Sequence, residues 1–222
     1  SEGTVAVATG QQVGYLGGPA YTVYKALTAI RVAETLEAAG IPAVPVFWLA
    51  SEDHDLEEVD HAWLFDGCRE PLRYQAKAGA TDREPHPSRP VGSLPIPPLR
   101  REEIERAFAD LPFGAMAAAV ADETYREGRT YAQAFRALLE RLLGSHRMLF
   151  LDPLAEEVRA LAAPLLARAV EQFPLLSARA IERGVALEKA GYHAQVHLEA
   201  ETSFFFLLSE GERLSLKARN GG

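Results

Sequence analysis

The sequence predicts an α/β fold with a parallel-sheet core, a helical insertion and a C-terminal antiparallel hairpin. Three observations support this prediction. A β-branched run, a helical stretch and a second apolar run form a β-α-β unit at 4–9, 20–39 and 42–50. A proline-rich stretch and three helical patterns follow it within 69–145. Near the end, apolar segments flank the turn sequence Ser209-Glu-Gly.

Composition narrows the possible functions. Of 222 residues, 48% are hydrophobic and 24% are charged, which is typical of a globular protein. The net charge of −8 argues against nucleic-acid and membrane-surface partners, since both require a basic face. No apolar run approaches the roughly 20 residues that span a bilayer. The single cysteine, Cys68, excludes an intramolecular disulfide, so we expect a cytoplasmic protein.

The β-α-β unit determines where a site should lie. The strand at 4–9 is apolar on both faces, which predicts helices on both sides of it. A glycine-rich loop leads to Pro19, which suits the first turn of the helix, and Gly40 ends that helix. The second strand, 42–50, is the more apolar of the two. Because parallel strands end at one edge, the loops after both strands should meet there, where open α/β sheets bind ligands.

The remaining segments predict supporting elements. A short strand is expected at 62–65, and then a long proline-rich loop over 69–98 that ends in an extended piece at 91–96. The other predicted elements are helices at 101–110, 112–122, 130–143, 154–173 and 177–190, a third core strand at 147–152, and a hairpin or meander from 192–198, 202–208 and 212–217. We interpret 1–222 as one incomplete domain, with 69–145 as an inserted connecting segment.

The glycine-rich loop, Thr9-Gly-Gln-Gln-Val-Gly-Tyr-Leu-Gly-Gly-Pro19, is the first candidate site. Backbone N–H groups and the helix dipole at such a position attract an anion. The loop matches neither the G-x-G-x-x-G pattern nor the G-x-x-x-x-G-K-[ST] pattern, and Gly-Gly-Pro is also ordinary turn chemistry. Lys25, two turns into the helix, either reaches a phosphate or is solvated.

The acidic loop Glu52-Asp-His-Asp55 is the second candidate, because it directly follows the more apolar strand. Neighbouring carboxylates raise one another's pKa, an arrangement that is costly without a cation or a proton-transfer role. A histidine flanked by aspartates can act as a general base or bind a divalent metal. The alternative is a solvated loop that caps the next helix. His61, His86, His146 and His197 lie in no motif and receive no role.

Four motifs resemble one known family. The first two are Thr9-Gly-Gln-Gln-x-Gly-x-x-Gly-Gly-Pro-x-Tyr-Thr22 and Pro45-Val-Phe-Trp-x-Ala-Ser-Glu-Asp-His-Asp-x-x-Glu58. Gly128-x-Thr-Tyr-Ala-x-Ala-Phe135 and Gly191-Tyr-His-x-Gln195 follow in the same order. Together they resemble the bacillithiol biosynthesis cysteine-adding enzymes, over essentially the whole chain.

The resemblance implies a Rossmann-like, nucleotidyltransferase-like core and a ligase that joins L-cysteine to glucosaminyl-malate in the last step of bacillithiol synthesis. It implies nucleotide activation of cysteine, with ATP and possible use of Mg²⁺, and no dedicated metal site. Related enzymes hold phosphates with an H-x-G-H loop, whereas here Gly14-Tyr-Leu-Gly-Gly-Pro19 contains no histidine, so His54 could supply the imidazole. It also implies that the chain is a fragment and that full-length relatives form homodimers through a coiled coil absent here.

The motifs assign candidate roles to individual residues. The catalytic candidates are His54 as base or electrostatic anchor, oriented by Asp53 or Asp55, with Glu52 beside them. The candidates for binding substrate or nucleotide are Gly10, Gln11, Gln12, Gly17, Gly18, Pro19, Tyr21, Thr22, Lys25, Trp48, Tyr192, His193 and Gln195. Two alternatives stay open: a metal-dependent hydrolase with Glu52, Asp53, His54 and Asp55 as ligands, and a non-catalytic binding domain.

Overall fold

A computed structural model describes residues 3–65, 68–75, 89–144, 146–194, 196 and 202–217, with side chains from 205 onward in the last range. The strands are β1 (Val5–Gln12), β2 (Ala43–Ala50), β3 (His61–Phe65), β4 (Pro71–Gln75), β5 (Leu149–Leu151), β6 (Thr202–Ser209) and β7 (Glu212–Lys217). The helices are α1 (Tyr21–Ala38), α2 (Leu56–Val59), α3 (Arg101–Phe108), α4 (Gly114–Thr124), α5 (Tyr131–Leu143), α6 (Glu156–Glu171) and α7 (Phe173–Lys189). The chain divides into two compact units, Ser1–Ala155 and Glu156–Gly222, and each is described by itself.

A parallel sheet in the order β1-β2-β5 forms the core of the first unit. Its register pairs Gln12 with Ala50, so β1 and β2 end side by side. The prediction of a parallel core is therefore confirmed. Strand β1 extends to Gln12, three residues beyond its predicted end, so the first glycine of the glycine-rich loop is part of the sheet.

Burial in the sheet is less complete than the sequence predicts. In β2, Phe47 and Leu49 are buried, whereas Trp48 between them is 42% exposed on the opposite face. Strand β1 has no fully buried residue, so the expectation of a strand covered on both sides is wrong. In the part of the chain that the structure describes, β1 pairs with β2 alone, and an edge strand buries less of its surface.

The helices within 69–145 pack on this core. The Phe135 ring of α5 lies 6.1 Å from the Phe47 ring, and Ile104 of α3 is fully buried. Thr130 caps α5 in a reciprocal capping box with Gln133, which agrees with the predicted helix start. The three helices predicted in this segment are confirmed to within a few residues at each end.

Two parts of the predicted 69–98 loop are structured differently. Residues 71–75 form β4, which pairs antiparallel with β3 and buries Tyr74 against Tyr15, with ring centroids 6.1 Å apart. Residues 91–93 form a 3-10 turn, not an extended piece. Both errors have one cause. Tertiary packing determines these conformations, and a local sequence pattern contains no information on tertiary packing.

The second unit contains α6, α7 and an antiparallel hairpin of β6 and β7, so both helices and the hairpin are confirmed. Residues 192–194 are not a strand, so the predicted strand 192–198 is wrong at its start. Gln195 and 197–200 lie outside the described residues. Within those residues, none of the helices combines the length and apolar character that a membrane span requires.

Candidate functional site

The loops after β1 and β2 meet as predicted. Gln12 is the last residue of β1, and its side-chain amide donates to Oδ2 of Asp53 and to Oε2 of Glu58, each at 2.7 Å. A cavity of about 250 Å³ opens beside this junction. The glycine-rich segment lines one side of it, and α2 and β3 line the other; the lining residues include Gln11, Gln12, Gly18, Glu58, His61 and Trp63.

In the glycine-rich turn, the Gly17 and Gly18 amides already donate to groups of the protein itself. Leu16, Gly17 and Gly18 adopt φ values of 51°, 90° and 65°, a left-handed run that suits glycine at its last two positions. The Gly17 N–H donates to the Gly14 carbonyl and to the Tyr125 hydroxyl, and the Gly18 N–H donates to the Tyr15 carbonyl. Anion binding by these two amides would require the bonds to open, so their predicted role stays a prediction.

Two tyrosines, Tyr15 and Tyr125, form a cluster that supports this turn. The Tyr125 hydroxyl accepts from Gly17 and donates to the Gly14 carbonyl at 3.2 Å, and its ring meets the buried Tyr15 ring edge-on at 5.1 Å. Burial raises the pKa of both phenols above the ordinary value, so both remain protonated and able to donate. The tyrosines therefore support the shape of the turn.

Lys25 and Tyr21 also contact the protein's own groups. The Lys25 ammonium donates to the Gly10 carbonyl and, at 3.1 Å, to Oε1 of Gln11. The Gln11 amide donates to the Tyr21 hydroxyl at 3.3 Å. Thr22 is buried in the first turn of α1, and Pro19 lines the cavity. A phosphate-binding role for Lys25 stays a prediction.

Asp53 is the most constrained carboxylate of the acidic loop. Burial alone would raise its pKa, but hydrogen bonds from Gln12 and from the amides of His54 and Asp55 outweigh burial, so the pKa lies below its ordinary value. Asp55 accepts from the Glu58 amide and caps α2, which is the capping role weighed as the alternative. Glu52 is half-buried.

His54 stands outside the cavity lining. Its side chain is 51% exposed, and Nδ1 lies 3.6 Å from Oδ1 of Asp53. Its predicted role as base stays a prediction. Among the described residues, no three His, Cys, Asp or Glu side chains gather as a metal site.

Sequence reasoning missed the pair Asp60–His61. His61 begins β3 and lines the cavity, and its Nδ1 lies 3.1 Å from Oδ1 of the buried Asp60. The Gln75 amide of β4 donates to Oδ2 of Asp60 at 2.8 Å. An Asp-His pair at the start of an apolar run was a usable signal, but the stronger acidic motif next to it obscured it.

The end of β2 is held by contacts from remote segments. The Ser51 hydroxyl donates to Oδ1 of Asp152, which follows β5, and the Gly92 amide donates to the Ser51 carbonyl at 2.9 Å. The Val91 amide donates to the Asp53 carbonyl at 2.6 Å. The acidic loop is therefore a fixed part of the first unit.

The remaining predicted residues lie elsewhere. Trp48 is on the sheet face opposite Phe47, and the indole that lines the cavity belongs to Trp63. Tyr192 and His193 are in the second unit, after α7, where Tyr192 is 68% exposed. The roles predicted for these residues stay predictions.

Comparison with known proteins fits this architecture. The whole chain, residues 1–222, matches the family model described as bacillithiol biosynthesis BshC, N-terminal Rossmann-like domain. The chain belongs to this family. Relatives named "Putative cysteine ligase BshC" include those of Solibacter usitatus, 45% identical over 97% of this chain, and Koribacter versatilis, 38% identical over 98%. The chain spans 40% of the length of each of these two relatives.

Proposed function

We propose that this BshC-family chain belongs to a ligase that adds L-cysteine to glucosaminyl-malate in the last step of bacillithiol synthesis. Family membership and the printed name of the relatives support the cysteine-ligase part. The single observation from the molecule that supports it most is the chemistry of the cavity that the glycine-rich segment, α2 and β3 line.

That chemistry suits an amino sugar. Glu58 places a carboxylate on the wall, which can pair with an ammonium group. Gln11 and Gln12 line the same wall, and the Gln12 amide orients the Glu58 carboxylate by donating to it at 2.7 Å. Trp63, 63% exposed, offers an indole face to the apolar side of a sugar ring. An acidic wall and an indole therefore suit the amino-sugar part of glucosaminyl-malate.

The proposal includes activation of cysteine by a nucleotide, with ATP as the nucleotide and Mg²⁺ as its metal. The described residues of the glycine-rich turn do not fit a phosphate as they stand, because the Gly17 and Gly18 amides are engaged within the turn and with Tyr125. Cytoplasmic location and homodimer formation are likewise proposed, from the composition and the family resemblance.

The hydrolase alternative receives no support from the described residues, since the acidic loop does not gather three metal-ligating side chains. Asp53 bonds to Gln12 and to backbone amides, and Asp55 caps a helix. The binding-domain alternative differs from the ligase in one measurable outcome, which is whether loss of the gene changes the thiol pool.

The test is deletion of the gene in its own organism, followed by mass spectrometry of low-molecular-weight thiols and their precursors. We expect loss of bacillithiol and accumulation of glucosaminyl-malate, with both reversed by the wild-type gene. Unchanged thiol pools would refute the ligase. A second arm tests the cavity: W63A should restore less bacillithiol than F65A, because Phe65 is a similarly exposed aromatic residue of β3 outside the cavity lining. Equal rescue by the two variants would refute the cavity as the sugar site.

A further inference from the structure

The geometry points to His61 as the proton acceptor of the cavity, with Asp60 as its positioning residue. This inference rests on the proposed ligase function, and it assigns the base to a histidine outside every motif of the sequence. The His61 side chain is 19% exposed and lines the cavity, and the Asp60 side chain behind it is 6% exposed.

Asp60 determines which ring nitrogen of His61 carries the hydrogen. Nδ1 lies 3.1 Å from Oδ1 of Asp60, and an ionised carboxylate can only accept a hydrogen bond. A lone pair on Nδ1 would face that oxygen and be repelled, so Nδ1 carries the hydrogen. The lone pair of the neutral ring is then on Nε2, the nitrogen that can accept a proton.

Arg73 lies close enough to compete for this arrangement. One of its terminal nitrogens is 3.2 Å from Nδ1 of His61 and 3.7 Å from Oδ1 of Asp60. An arginine can only donate, so its 3.2 Å contact favours a lone pair on Nδ1, whereas the 3.1 Å contact with the buried Asp60 carboxylate favours a hydrogen there. We assign the hydrogen to Nδ1 because the carboxylate is the closer partner and a hydrogen bond to an ionised acceptor is the stronger of the two. Among the residues that the structure describes, the charged groups in contact with His61 are Asp60 and Arg73, and Glu58 lines the same cavity.

Strand pairing fixes the ring in this position. His61 stands opposite Gln75 in the β3–β4 register, and the Gln75 amide holds the second carboxylate oxygen of Asp60 at 2.8 Å. The Trp63 ring meets the imidazole edge-on, with centroids 6.2 Å apart. His54, in contrast, is 51% exposed and 3.6 Å from its aspartate, so its ring is held less firmly.

The fixed imidazole can serve the amide-forming step. The sugar amine, once it has lost a proton to solvent and is neutral, forms a bond from nitrogen to the acyl carbon of an activated cysteine. As that bond forms, Nε2 of His61 takes one proton from the attacking nitrogen, and the leaving group departs with the electron pair of its bond to carbon. The imidazolium that results is paired with the Asp60 carboxylate. General-base catalysis of this kind contributes about 100- to 10,000-fold to a rate.

Paired variants separate the two ring nitrogens. In H61N, the side-chain amide nitrogen takes the place of Nδ1 and can still donate to Asp60, but nothing replaces Nε2. In H61Q, the amide reaches the place of Nε2 and the Nδ1 contact is lost. H146N is the matched control, since His146 is exposed and belongs to no site. The complete protein is assayed for kcat and KM with glucosaminyl-malate, alongside the melting temperature of each variant.

We expect H61N to lower kcat about 100-fold or more, with little change in KM or in melting temperature. H146N should match the wild type. Wild-type kcat in H61N, or loss of kcat in H54N with retention in H61N, would overturn the assignment. A drop in the melting temperature of H61N that accounts for its lost activity would make His61 structural and would also overturn it.

A spectroscopic arm is independent of ligase activity. Long-range ¹H–¹⁵N correlation spectra of ¹⁵N-histidine-labelled protein should show the hydrogen of the neutral His61 ring on Nδ1, and D60N should move it toward Nε2. A hydrogen on Nε2 in the wild type would overturn the pairing with Asp60. An inactive wild type would refute the proposed function and with it the step assigned to His61, while the tautomer would still be decided by the spectra.

Discussion

The turn after β1 and the turn after β2 meet at one edge of the sheet, where Gln12 bonds to Asp53, but they are held in different ways. The first, residues 14–18, satisfies its amides within itself and through Tyr125 of the helical segment. The second, from Ser51 to Asp55, is fixed by contacts from Gly92, Asp152 and Gln12. The first turn is held mainly by its own hydrogen bonds, and the second is held by hydrogen bonds from other segments.

This difference shows which amides and side chains of the site can contact a ligand. A glycine-rich turn looks like an anion site in sequence, but its amides are available to a ligand only if the fold leaves them unbonded. An acidic turn looks catalytic, but Asp53 and Asp55 bond to amides and stabilise the loop itself. The imidazole that lines the cavity comes from the next strand, where a buried carboxylate holds it.

The largest loss of stability is expected from a substitution that disrupts the contact between Gly92 and the second turn. A Cβ added at Gly92 would lie 2.3 Å from Cβ of Ser51 and 2.8 Å from its backbone oxygen, and Ser51 is buried. G92A should therefore destabilise the protein by about 3 kcal/mol or more, at the upper end for overpacking. Chemical denaturation measures this free energy of unfolding.

G184A is the control for G92A. Gly184 lies within α7, and its added Cβ would meet only Ala194 at 3.8 Å, an ordinary contact. Alanine has the higher helix propensity, so G184A should be neutral or slightly stabilising. Equal effects of the two substitutions would mean that the close approach at Gly92 does not fix the turn.

A smaller loss of stability should follow from removing the Tyr125 hydroxyl, which bonds to the first turn. Y125F removes the hydroxyl that accepts from Gly17 and donates to Gly14, and it leaves the Gly14 carbonyl with fewer partners. The expected loss of stability is about 1–2 kcal/mol. Y24F, at a tyrosine that is 69% exposed, should leave the melting temperature unchanged. If Y125F also leaves it unchanged, the turn does not depend on Tyr125.

The smallest effect is a pH dependence at Asp53. Its folded-state pKa lies below the ordinary value of about 3.9, so the ionised carboxylate stabilises the fold above that value, and the contribution disappears as pH falls through the folded-state pKa. D53N should be less stable than wild type at pH 6 by under about 1 kcal/mol, since the group is partly exposed. The gap should narrow below about pH 4 and close only below the folded-state pKa.

Melting temperatures of wild type and D53N across this pH range measure the effect. D110N, at an exposed aspartate near the end of α3, should show no such gap. A gap in D53N that stays constant with pH would mean that the lost contacts are not those of an ionised carboxylate.

The sequence alone determined the β-α-β unit and the order of the helices around the site. Spacing of apolar residues, a glycine and a proline as stop signals, and the Thr130 cap predicted the β-α-β unit and the helices, because these signals act within a few residues of the chain. They also predicted that the loops after β1 and β2 meet, since parallel strands end at one edge.

The tertiary structure alone decided which groups remain available in the site. Whether the Gly17 amide faces a ligand depends on Tyr125, 108 residues away, and the hydrogen on the His61 ring depends on how β4 completes the surroundings of Asp60. The strand β4 itself forms because Tyr74 is buried against Tyr15. These contacts join residues that are far apart in the sequence, so a local pattern of charge or periodicity cannot predict them.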